Sequence, residues 1–122
     1  LGLFSVGVLN INNIRDIDSD QKAGKYSIPV RIGRANAVKY HIALLVIGLL
    51  CSIIYVGLHF ENWTQLLFLV VVPLLIINIK AVSTKTISME LDPYLKQMAL
   101  TTLLFVLTFG IGQLILVASC EF

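Results

Sequence analysis

Apolar residues fall into three runs, each long enough to cross roughly 30 Å of hydrocarbon as a helix of about 20 residues. The first covers 43–60 (ALLVIGLLCSIIYVGLHF). The second covers 65–82 and contains Pro73, which a membrane helix tolerates because neighbouring groups satisfy the freed carbonyl. The third covers 98–119, where Gly110 and Gly112 permit close helix approach. A fourth apolar piece, 1–11, is too short to span alone and reads as the end of a helix. The pattern predicts an all-α fold, a polytopic transmembrane helical bundle of three full spans plus the end of a fourth.

Composition removes the alternatives. Hydrophobic residues make up 57% of the 122, charged residues 13%, and the mean hydropathy is +0.90. Soluble domains are near a quarter charged, so too few charges exist here to coat a water-facing surface. That excludes a soluble globular enzyme and a disordered tail, and a net charge of +2 gives no reason to expect a nucleic acid partner. The lipid bilayer is the expected surrounding. Arg15, Lys22, Lys25, Arg31, Arg34 and Lys39 precede the first span, and Lys80, Lys85 and Lys96 lie around the second connection. These are all nine cations, so the positive-inside rule puts 12–41 and 83–97 on the cytoplasmic side of the cell (plasma) membrane. The turn at Glu61 and the C-terminal Phe122 then face the other side, and Trp63 reads as an interfacial anchor.

Smaller features add little chemistry. Cys51 and Cys120 lie in apolar runs far apart and read as small buried hydrophobes. His41 and His59 sit near opposite ends of one span and suit interfacial packing, not a metal pair. Asp92 followed by Pro93 suits a helix N-cap with Pro at the first helical position. With no initiator Met and an apolar run at its head, the chain is expected to be the later portion of a longer polypeptide whose N-terminal half lies upstream.

The chemistry concentrates in NINNIRDIDSDQKAGKYSIPVRIG, 10–33. On a helix at 100° per residue, Asn12, Asp16, Asp20 and Asn13 fall at roughly 0°, 40°, 80° and 100°, one narrow face, with Asp18 pointing away. Like charges at i, i+4 repel, so Asp16 and Asp20 call for a counter-charge. Hard oxygen ligands without thiolate or imidazole favour Mg²⁺, which binds through one or two carboxylates plus substrate phosphates. Lys22, Lys25, Arg31 and Arg34 follow, suited to a diphosphate, and Gly24 sits where a helix C-cap glycine belongs. The bland alternative is a solvated, salt-bridged loop. Asn12 and Asn13 weigh against it, since carboxamides beside an apolar run normally face a protein interior or polar cavity.

NNIRDIDSD, then AGK, then PVRIG resembles the second aspartate-rich motif of the UbiA superfamily of intramembrane prenyltransferases. RANAVKYH and LDPYLKQMALTTLLFVLTFGIG are similar to the branch that acts on 1,4-dihydroxy-2-naphthoate in menaquinone synthesis. The resemblance implies a UbiA-like bundle of about nine helices with an aspartate-rich motif on each half. It implies a Mg²⁺-dependent polyprenyltransferase that moves the prenyl group of a polyprenyl diphosphate to an aromatic acceptor. By it, Asp16 and Asp20 are catalytic and bind the metal, while Asn12, Asn13, Lys25 and Arg31 bind the diphosphate. The first acidic motif is absent from these residues, so the 122 alone are expected to be inactive. Two rival readings stand: a noncatalytic membrane subunit or transporter fragment whose acidic pair binds a cation, and a family enzyme with another aromatic acceptor.

Overall fold

The computed structural model describes residues 2–85 and 88–121, without the side chain of Ser88. Leu1, at the head of the first apolar piece, Thr86 and Ile87, within the polar segment 83–97, and Phe122 lie outside the described residues. Among the described residues six α-helices follow in order: α1 Gly2–Arg15, α2 Ile17–Lys22, α3 Ile28–Ile32, α4 Arg34–Leu58, α5 Val72–Thr84 and α6 Asp92–Cys120. Two 3₁₀ segments, Trp63–Val71 and Ser88–Leu91, lead into α5 and α6. Three helical stretches are long and apolar enough to cross a membrane: Arg34–Leu58, Trp63–Thr84 and Met89–Cys120. The all-helical membrane architecture expected from the apolar runs is the one observed. Each helix runs past its apolar run at the end nearer the polar connections, because hydrogen bonding within a helix continues where the hydrocarbon-compatible side chains stop.

The second span is irregular for a local reason. In α geometry the ring of Pro73 clashes with the carbonyl of Leu69. The chain before it is tightened instead to a 3₁₀ helix, with the Leu69 carbonyl accepting from the Val72 N–H. Its start is fixed by Gln65, whose Oε1 accepts from the backbone of Glu61 at 2.9 Å and whose Nε2 donates to the His59 carbonyl at 3.0 Å. Trp63 stands exposed beside this turn.

α1 packs against α4 and α6, and α6 runs along both the 3₁₀ segment and α5. Phe4, Phe68 and Phe105 make the middle of the core, with Phe4 and Phe105 edge to face at a centroid distance of 4.8 Å. Of the two glycines expected to allow close approach, Gly112 does so: a Cβ there would stand 2.5 Å from the Thr64 carbonyl oxygen. Gly110 has nothing within 4 Å of such an atom. Gly112→Ala is expected to cost about 1–3 kcal/mol, because backbone has to move, while Gly110→Ala is nearly neutral. Unfolding of both variants by SDS titration in mixed micelles checks this; equal losses would contradict the packing.

A buried polar chain joins three helices. His41 Nε2 lies 2.9 Å from Asn78 Oδ1, Asn78 Nδ2 donates to Gln97 Oε1 at 2.6 Å and to the Tyr94 carbonyl at 3.0 Å, and Gln97 Nε2 donates to the Leu74 carbonyl. His41 is therefore an interior residue rather than an interfacial one, drawn in by a carboxamide on the facing helix. The cysteines depart from expectation too. Cys51 and Cys120 are exposed, Cys51 on an open groove lined by α1, α4 and α6 and Cys120 at the end of α6 near Glu61.

Candidate functional site: an acidic segment at the end of the bundle

The stretch 12–41, read from sequence as a connecting loop, is mostly helical. Asn10 donates to the Ala37 carbonyl at 3.1 Å, pinning α1 to α4, and Arg34 donates to the Lys85 carbonyl, tying the start of α4 to the end of α5. Between these anchors the acidic segment breaks once. Asp16, at φ −96° and ψ 12°, separates α1 from α2, although the Asp16 and Asp20 N–H groups still donate to carbonyls four residues back. α2 ends where expected. Gly24 takes φ +74°, the Lys25 N–H donates to the Asp20 carbonyl and the Gly24 N–H to that of Gln21. This is a Schellman closure, and its left-handed position suits glycine.

The break redistributes the acids. A cleft of about 360 Å³ is lined by Arg15, Asp16, Asp18, Ser19, Met89 and Asp92. Asp18 thus opens on the same cleft as Asp16, where an unbroken helix turns it away. Asp20 lies outside that lining and is 8% exposed. Arg15 is the hub. Its Nε reaches Asp16 Oδ1 at 2.9 Å, one terminal nitrogen reaches Asp92 Oδ1 at 2.8 Å, and the other reaches Asn12 Oδ1 at 2.8 Å. The hydrogen bonds to Asp16 and then to Asp92 raise the Arg15 pKa, so the guanidinium stays charged. Asp92 is accordingly not the N-cap, a place taken by Leu91; it stands in the first turn of α6 and turns its carboxylate to Arg15.

Lys25 approaches Asp20 Oδ1 at 3.8 Å but is itself largely exposed. Arg31 is exposed on α3, and Asn13 is half-buried on the last turn of α1. The structure therefore gathers Asn12 and Asp16 with Arg15 and Asp92, and sets Asp20 with Lys25. Sequence reasoning missed Arg15 and Asp92 as a pair; a contact across 77 residues leaves no spacing signal.

Asp20 Oδ2 is buried and has no hydrogen-bond partner among the described residues. A carboxylate oxygen held away from water without a donor is costly, and a cation is the natural complement. Among the described residues no three His, Cys, Asp or Glu side chains converge on one point, so a closed protein cage is absent there. Mg²⁺ fits this donor set, since it is commonly held by one or two carboxylates with water and substrate phosphate filling the rest. Asp16 and Asp20 are the carboxylates that would supply such a site, Asp16 from the cleft and Asp20 from outside its lining.

Three relatives cover nearly all of the chain. A 1,4-dihydroxy-2-naphthoate octaprenyltransferase of Haemophilus influenzae is 40% identical over 114 residues, 93% of this chain and 37% of its own length. Proteins of the same name from Escherichia coli and Mycobacterium leprae are 37% and 30% identical, over 92% and 99% of this chain and 38% and 40% of their own. The chain thus spans about two fifths of the length of the curated relatives it matches. No solved structure matches it. The model of the UbiA prenyltransferase family matches residues 1–93, and the chain, a multi-pass membrane protein, belongs to that family.

Proposed function

We propose that the chain is the C-terminal part of an intramembrane prenyltransferase that moves a polyprenyl group from its diphosphate to 1,4-dihydroxy-2-naphthoate in menaquinone biosynthesis. The observation that carries the reading is the buried carboxylate oxygen of Asp20, without a hydrogen-bond partner among the described residues, one helical turn after the Asp16 that lines the cleft. The names of the three relatives, each a 1,4-dihydroxy-2-naphthoate octaprenyltransferase, support the choice of donor and acceptor.

In this reading Asp16 and Asp20 would hold Mg²⁺, and Asn12 and Asn13, on the turn before them, would face the diphosphate. Lys25 and Arg31 take the remaining phosphate charge. A Mg²⁺ ion held there would supply positive charge to offset that building on the departing diphosphate. The prenyl C–O bond breaks, the electron-rich ring attacks the allylic carbon, and the ring position loses its carboxyl group as CO₂. The apolar bundle keeps water from the cationic prenyl group, and its lipid-facing sides give a long apolar tail a route in. The cations around the acidic segment support its placement on the cytoplasmic side.

A chimera tests the proposal. The matching portion of the Escherichia coli relative is replaced by residues 1–122 and the product expressed in a strain lacking that enzyme. Menaquinone synthesis is expected from the chimera and not from the 122 residues alone. A well-expressed chimera without product would contradict the proposal, and product only with a different aromatic acid would move the acceptor.

A further inference from the structure

We propose that Asp92, in the first turn of α6, is a positioning residue for the acidic segment: by holding the Arg15 guanidinium it keeps the Asp16 carboxylate available to a divalent cation. The inference rests on the reading of Asp16 and Asp20 as metal ligands.

Arg15 and Asp16 are sequence neighbours, and neighbours on a helix project about 100° apart. Here they meet because the helix breaks at Asp16 and because Arg15 is also held from the far side by α6. Arg15 contacts both oxygens of Asp16, at 2.9 and 3.3 Å, and Asp92 at 2.8 Å. One guanidinium is divided between two carboxylates, so the trio keeps one net negative charge. Without the Asp92 charge, Arg15 belongs to Asp16 alone and neutralises the ligand that the cation needs. With it, a cation arriving at Asp16 displaces a guanidinium that already has a second carboxylate to occupy. Asp92 also adds a polar tie between α6 and the acidic segment, beside the packing of α1 on α6.

Asp92 is about half exposed, with a side-chain exposure of 49%, and an ion pair in that setting contributes little to folding. Its replacement is therefore expected to leave the bundle intact, which keeps the function readable.

The test is Mn²⁺ binding to the full 122-residue chain in detergent, followed by loss of the free-ion electron paramagnetic resonance signal. Wild type, Asp92→Asn, Asp92→Glu and Asp20→Asn are compared, with melting temperature measured in parallel. Groups supporting a metal ligand typically change affinity about 10–100-fold. Asp92→Asn is expected to raise the half-saturating Mn²⁺ concentration about tenfold or more at unchanged melting temperature, and Asp92→Glu to restore most of it. If Asp92→Asn binds like wild type while Asp20→Asn loses binding, the positioning role is overturned and the metal reading stands. If wild type and Asp20→Asn take up Mn²⁺ equally, or neither takes it up, the metal reading falls and this inference with it. A parallel loss of binding and melting temperature in Asp92→Asn, not rescued by Asp92→Glu, would make the residue structural and overturn the proposal.

Discussion

Asp20→Asn in the chimeric enzyme is expected to lower turnover on the order of 10²- to 10³-fold, the scale seen when one group stabilising transition-state charge is removed, while leaving the resting protein as stable or more stable. The two halves of that expectation share one cause. The Asp20 carboxylate is nearly buried, its Oδ1 is 3.8 Å from a largely exposed lysine and its Oδ2 meets no donor among the described residues. Burying an incompletely paired charge opposes folding, and a neutral carboxamide of the same shape relieves that cost while giving up the ligand. Sites kept for function commonly show this opposition of activity and stability. Asp18→Asn is the contrasting variant. Asp18 is exposed and is expected to change turnover only a few-fold. Steady-state rates with melting temperatures on the same preparations check the pair. An Asp20→Asn enzyme that is both active and destabilised would mean that the carboxylate serves the fold.

Asn78→Leu is expected to carry the largest loss of stability, about 2–4 kcal/mol by SDS titration in mixed micelles. Asn78 is fully buried and links three elements, through His41 on α4, the Tyr94 carbonyl and Gln97 Oε1 on α6. Leucine conserves much of the volume and none of the bonds. Interhelical hydrogen bonds in membranes contribute roughly 0.6–2 kcal/mol each, and leaving a buried partner unmade adds about 1–3 kcal/mol. A loss below about 0.5 kcal/mol would show that packing alone holds α4, α5 and α6 in register.

The spans were legible because hydrocarbon demands an unbroken apolar run of sufficient length, a constraint written into neighbouring residues. The close approach at Gly112 was legible as a type of residue but not as a place: Gly110 has the same chemistry and faces open space, and only the path of the 3₁₀ segment decides between them. That segment in turn follows from Pro73, whose effect on the preceding turn was readable in kind but taken at sequence level as a tolerated irregularity. At the site, the C-terminal stop at Gly24 was legible because left-handed backbone selects glycine. The single face for Asp16 and Asp20 was less so. A helical wheel assumes one axis, and the break at Asp16 turns Asp20 inward while bringing Asp18 to the cleft. Long-range polar contacts left no local signal. Arg15 with Asp92, and His41 with Asn78 and Gln97, depend on which helices pack together.

Equilibrium binding of a radiolabelled polyprenyl diphosphate to the purified chimera, with and without Mg²⁺, tests the role of the acidic segment most directly. Retention that requires Mg²⁺ and disappears in both Asp16→Asn and Asp20→Asn is the predicted result. Retention indifferent to the metal and to both substitutions would contradict it.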